Sequence, residues 1–131
     1  AIGMTADVGT FPRLVRIIPE GWARQMAYTA ERLPAAKAKE IGLVNEVFAT
    51  HEALLDGVLA IARQIAAHSP LAVAGCKAMA NYARDHSTAD ALDYIAVWNA
   101  AMLRPDDIKE AFIARAEKRP PKFDGLKRLA D

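Results

Sequence analysis

A single cysteine, Cys76, among 131 residues rules out an internal disulfide and any multi-thiolate metal site, so a stapled secreted fold and a zinc ribbon are both excluded. A reducing compartment, most simply the cytoplasm, is the matching expectation. No apolar run approaches the roughly 20 residues that span a bilayer. Ala1 to Thr10 hold no basic stretch followed by an apolar one, so neither a membrane anchor nor a secretory leader is expected. Charge of one sign is also missing. Seventeen Lys and Arg against sixteen Asp and Glu leave +1, too weak a field to draw nucleic acid or an anionic membrane as partner. There is no glycine-rich phosphate loop, no Gly-x-Ser-x-Gly elbow and no His-Glu-x-x-His pair, so three common chemistries lack their parts. His51, His68 and His86 are scattered near expected helix ends and make no metal set. Neither a metal nor a separate cofactor is expected.

What is present is a folded, helix-forming composition. The chain is 53% hydrophobic and 25% charged, which excludes disorder, and alanine, the best helix former, is its commonest residue. Thr10, as cap, and Pro12 begin a short helix carrying Leu14, Val15, Ile17 and Ile18 until Pro19 interrupts. A second helix over 20–30 places Trp22, Met26 and Ala30 on one stripe. Pro34 opens a third, over 35–41, which Gly42 closes as a left-handed cap. Leu43 to Phe48 alternates and is rich in branched residues, which predicts a short strand. From His51 the pattern is wholly helical, so a boundary is placed near Ala49-Thr50. Leu54, Leu55, Val58, Leu59, Ala62, Ile65 and Ala66 form one stripe. Ser69-Pro70 starts the next helix, Ser87 to Asp90 resembles a capping box for another, and Pro105 starts a last one that Pro120-Pro121 ends. These helices cannot all hide their stripes within one small chain, so association is expected.

Asp7 is the candidate acid. It stands in Thr5-Ala6-Asp7-Val8-Gly9-Thr10 at the start of a helix. There a carboxylate serves either as a turn acid satisfying backbone donors or as an acid/base whose pKa the apolar neighbours Ile2, Met4 and Val8 would raise. Cys76 reads as a buried, inert thiol. Glu117-Lys118-Arg119 with Lys122 and Phe123 forms a basic cluster after the last helix, either a solvated helix end or an anion site. Trp22, Tyr94 and Trp98 read as core or interface anchors.

Together these residues resemble the C-terminal half of the crotonase superfamily, the enoyl-CoA hydratases and isomerases. The carrying segments are Arg13-Leu14, Gly21, Ala23, Ala38, Gly42-Leu43-Val44-Asn45-Glu46-Val47-Phe48, then Asp107, Glu110-Ala111, Glu117-Lys118-Arg119 and Phe123. Asp7, where hydratases usually have Gly, and Arg84-Asp85-His86-Ser87 with the helix through Trp98-Asn99 and Met102-Leu103 are most similar to the dienoyl-CoA isomerases. The resemblance implies a mostly α chain with a short β segment. It would be the C-terminal part of an α/β fold that joins a ββα spiral core (1–50) to a helical trimerisation region (51–131).

It also implies an acyl-CoA isomerase of fatty acid degradation that converts 3,5-dienoyl-CoA to 2,4-dienoyl-CoA. Asp7 would be one of two opposed carboxylates, and backbone amides would hold the thioester oxyanion. Coenzyme A is then part of the substrate, and Lys118 matches the position that reaches its nucleotide phosphates. Pro120-Pro121 departs from the pattern, which bears on Lys122 and Phe123. The companion Glu and the oxyanion donors would fall upstream of Ala1, so the implied partners are a missing N-terminal half and sister subunits, as trimer or hexamer. A sibling reading is enoyl-CoA hydratase. A reading of another class is a non-catalytic oligomerisation fragment.

Overall fold

The structure, a computed structural model, describes residues 3–126. Among them the chain forms seven helices: α1 (Thr10–Leu14), α2 (Glu20–Thr29), α3 (Ala35–Glu40), α4 (His51–Ala66), α5 (Pro70–Ala83), α6 (Thr88–Met102) and α7 (Pro105–Ala116). The fold divides into two compact units, Ala1–Asp56 and Gly57–Asp131, and the division falls inside α4.

The first unit is built on a small core of Ile18, Ala23 and Ile41, against which Leu14, Trp22, Met26, Leu33 and Leu43 pack. Prolines set its helix starts, as the fixed φ of proline requires: Pro19 and Pro34 are the caps of α2 and α3. Thr10 does not cap α1 with its side chain. Gly9, left-handed at φ 82, takes the cap position, while the Thr10 hydroxyl donates backwards to the Asp7 carbonyl at 2.8 Å.

The expected strand over Leu43–Phe48 does not form. Gly42 turns left-handed at φ 81, and the N–H groups of Leu43 and Val44 both donate to the Ala38 carbonyl, at 2.8 and 3.3 Å. The Leu43 bond, together with the Gly42 N–H donating to the Lys39 carbonyl at 3.1 Å, closes the end of α3 in a Schellman turn. Further along, Glu46 accepts from the Lys39 ammonium and from the Val47 N–H. Alternation marks a residue pattern suited to a sheet, but a strand also needs a neighbour to complete its ladder. Among the described residues there is none, and local acceptors take the donors instead.

In the second unit, serine caps define two helix starts. Ser69 Oγ accepts from the Ala72 N–H and Ser87 Oγ from the Asp90 N–H, as the Ser-Pro and Ser-x-x-Asp spacings predict. α5 and α6 meet at Gly75, the buried residue of α5, over which the Trp98 ring of α6 lies so closely that an added Cβ would sit 2.7 Å from Nε1. Two of the expected anchors, Tyr94 and Trp98, join Tyr82 and His86 in a ladder along this seam, while the third, Trp22, packs on the core of the first unit. Tyr82 stacks on His86 at 3.6 Å and meets Tyr94 at 4.5 Å, and Tyr94 meets Trp98 edge-on at 6.3 Å.

Candidate functional site

Asp7 belongs to the first unit and leads into α1. Two consecutive left-handed residues, Val8 at φ 45 and Gly9 at φ 82, reverse the chain directly after it. The turn is closed by the Thr10 N–H and hydroxyl, both donating to the Asp7 carbonyl. The main chain of Asp7 is therefore fixed by the turn, and its carboxylate has no structural task within that turn. The expected apolar enclosure is not formed by the described neighbours: Met4 is 71% and Val8 96% exposed, and Ile2 lies outside the described residues. A β-branched residue at positive φ, as Val8 is, is strained by about 1–2 kcal/mol, and the Asp7 carboxylate before it is exposed.

Two hollows are lined entirely within single units. A smaller one, of about 210 Å³, lies between the end of α2 and the start of α3, against Trp22, Met26, Leu33 and Lys37, where the Lys37 ammonium sits 4.9 Å from the Trp22 ring centre. A larger one, of about 600 Å³, lies in the second unit among Ile65, Leu71, Trp98, Met102, Ile108 and Phe123, with Ser69, Asn99, Arg104 and Asp107 as its polar groups. Asp107 is held by a 2.5 Å hydrogen bond from the Ser69 hydroxyl and faces Arg104 at 3.8 Å. Cys76, expected to be buried, is exposed and lines this hollow. The adjacent Gly75 takes the face of α5 toward Trp98, and one residue further the helix has rotated about 100°, which carries the thiol off that buried face.

Lys118 stands just past the end of α7, left-handed at φ 53. Its N–H donates to the Arg115 carbonyl and that of Arg119 to Ala114, a second Schellman turn, here with Lys where Gly is usual. The following residues are folded back by Glu110. Its Oε1 accepts from Arg119 Nη1 at 2.5 Å and from the Lys122 N–H at 2.7 Å, and its Oε2 accepts from Arg119 Nη2 at 3.0 Å. Glu117 takes Arg119 Nε at 2.6 Å. The Arg119 hydrogen bonds and the Lys122 N–H hold the Glu110 carboxyl down at about 2, and Glu110 followed by Glu117 raises the Arg119 guanidinium above its ordinary value.

Neither expectation for this basic cluster, a solvated helix end or an anion site, includes this clamp. Glu110 and Arg119 are nine positions apart, outside any helical pairing rule, and meet only because the chain reverses at Lys118. Asp7 and Lys118 lie in different units. No group of three or more His, Cys, Asp and Glu side chains able to hold a metal occurs among the described residues, and no single described helix is long and apolar enough to cross a membrane.

The family profile described as enoyl-CoA hydratase/isomerase matches residues 1–127. A peroxisomal Delta(3,5)-Delta(2,4)-dienoyl-CoA isomerase of Arabidopsis thaliana is 43% identical over 125 residues, covering 95% of this chain and 45% of that protein. The mitochondrial Delta(3,5)-Delta(2,4)-dienoyl-CoA isomerase of Homo sapiens is 40% identical over 119 residues, covering 90% and 36%. The crystal structure of an enoyl-CoA hydratase from Mycobacterium tuberculosis superposes with a TM-score of 0.86 at 35% identity, over 95% of this chain and 49% of that one. The chain thus spans less than half the length of the curated relatives it matches.

Proposed function

Because this chain belongs to the enoyl-CoA hydratase/isomerase family, we propose that it is the C-terminal portion of an acyl-CoA isomerase that converts a 3,5-dienoyl-CoA to the 2,4-dienoyl-CoA in fatty acid degradation. The observation that carries this reading is the 43% identity to a protein named for that isomerisation, across nearly the whole chain. A carboxylate at Asp7, on an ordered turn with no structural use for its side chain, supports it.

In the proposed chemistry one carboxylate removes a proton from the carbon beside the thioester carbonyl. The electron pair spreads through the diene, and a proton is returned at the distal end, so both double bonds move one position toward the carbonyl with no net gain or loss of atoms. Amide donors gripping the thioester oxygen stabilise the enolate between the two transfers. Asp7 is assigned one of these transfers and Lys118 the nucleotide phosphates of coenzyme A, with the second carboxylate and the oxyanion donors coming from a companion half of the fold. Self-association as a trimer or hexamer is part of the same proposal. A reducing aqueous compartment suits the lone cysteine, and the relatives named above are peroxisomal and mitochondrial rather than cytoplasmic.

The second reading, enoyl-CoA hydratase, is favoured by the superposition on a mycobacterial hydratase. Assaying the protein at its full natural length for 3,5-dienoyl-CoA isomerisation and for crotonyl-CoA hydration separates the two. Asp7→Asn is expected to lower isomerisation by about 10²–10⁴-fold with helicity unchanged, and an unaltered rate would remove Asp7 from the mechanism.

A further inference from the structure

We infer that Glu110 is a positioning residue: through Arg119 and the Lys122 N–H it folds the segment after α7 into a strap that presents Lys118 to the phosphate-bearing end of the substrate. The inference rests on the reading above that Lys118 meets those phosphates. The helix-end hydrogen bonds of Lys118 and Arg119 stop at Arg119, and nothing in a Schellman turn holds the residues beyond it. Glu110 does. One carboxylate receives two guanidinium N–H groups of Arg119 and the main-chain N–H of Lys122, a forked, charge-assisted arrangement that fixes direction as well as distance.

The division of labour between neighbouring cations follows from the same contacts. All three guanidinium nitrogens of Arg119 are engaged by Glu110 and Glu117, so Arg119 is an anchor and not a phosphate ligand. The Lys118 ammonium is exposed and has no hydrogen bond or ion pair among the described residues. Its backbone is held at φ 53, a conformation that Lys keeps only where its surroundings over-determine it. A compact charge on a pre-set backbone loses less freedom when a phosphate arrives than one on a loose tail would.

The test is calorimetric titration of the protein at its full natural length with coenzyme A, and in parallel with pantetheine, which lacks the nucleotide phosphates. Glu110→Ala and Lys118→Ala are each expected to raise the Kd for coenzyme A by about five- to tenfold and to leave pantetheine binding unchanged. Adding Glu110→Ala to Lys118→Ala should cost nothing further, because both act through one contact. Glu110→Gln, which keeps an acceptor for the Lys122 N–H, should fall between wild type and Glu110→Ala, while Lys109→Ala, an exposed charge on α7, should match wild type. Circular dichroism checks that each variant is folded.

The inference is overturned if Glu110→Ala leaves coenzyme A affinity intact while Lys118→Ala weakens it. It is overturned equally if Glu110→Ala weakens pantetheine to the same degree or acts undiminished in the Lys118→Ala background. An unchanged Kd in Lys118→Ala itself would instead strike the assignment of Lys118, a separate failure from that of Glu110.

Discussion

Ala30 ends α2 in the left-handed region, at φ 55, with its N–H on the Met26 carbonyl. An L-residue there carries about 1–2 kcal/mol of strain, whereas glycine carries none but loosens the unfolded chain by about 0.4–1 kcal/mol. The first effect is larger, so Ala30→Gly should stabilise the protein by about 0.5–1 kcal/mol, seen as a rise of a few degrees in Tm. Glu110 sets a pH window. Its carboxyl is lowered from 4.5 to about 2, so the stability contributed by its ion pair is fully present above the unfolded value and is lost as pH falls through the folded one. A near-neutral protein should therefore keep the strap down to about pH 4 and release it between there and about pH 2. Glu110→Gln should abolish that acid transition in a fluorescence or NMR titration of Phe123. Neither Ala30 nor Glu110 is marked by its residue type. A left-handed alanine and a pairing across nine positions are decided by where the chain turns.

At the scale of the element, Gly75 shows two effects opposed. Alanine has the better helix propensity, by about 1 kcal/mol, and on propensity alone Gly75→Ala in α5 would stabilise. The new Cβ would meet Trp98 at 2.7 Å, and overpacking of a seam costs about 1–3 kcal/mol. The ring it displaces is also tied to Tyr94. Gly75→Ala should therefore destabilise by about 1 kcal/mol or more, measured by thermal unfolding, and a variant as stable as wild type would show that Trp98 moves freely. The helices themselves were legible. Pro19, Pro34, Ser69, Ser87 and Pro105 punctuate the sequence by chemistry that acts within four residues, and the helices start beside them. Leu43–Phe48 departs from the strand its pattern predicts because alternation says which face each side chain takes, not whether a neighbouring strand exists to receive its N–H groups.

At the scale of the molecule, burial is scarce among the described residues. The buried hydrophobic residues are Ile18, Ala23, Ala38, Ile41, Ala91 and Ala114, while Leu55, Leu59 and Ile65 of α4 are each about half exposed, and no residue of that 16-residue helix is buried. An apolar stripe of this length left in water drives association. The 131-residue chain should sediment as a concentration-dependent oligomer, and Leu59→Glu should shift it toward monomer, with an unchanged distribution arguing that α4 is not the contact. The crotonase fold, the helical character and the acyl-CoA family were available from the sequence, because local punctuation and the motifs at 42–48 and 107–123 depend only on neighbouring residues. The tertiary structure alone decided that Glu110 grips Arg119 and Lys122, that Cys76 faces a hollow and that Leu43 and Val44 close α3. Each of those outcomes depends on which acceptor a chain reversal brings within hydrogen-bonding distance, and that distance is not a property of sequence spacing.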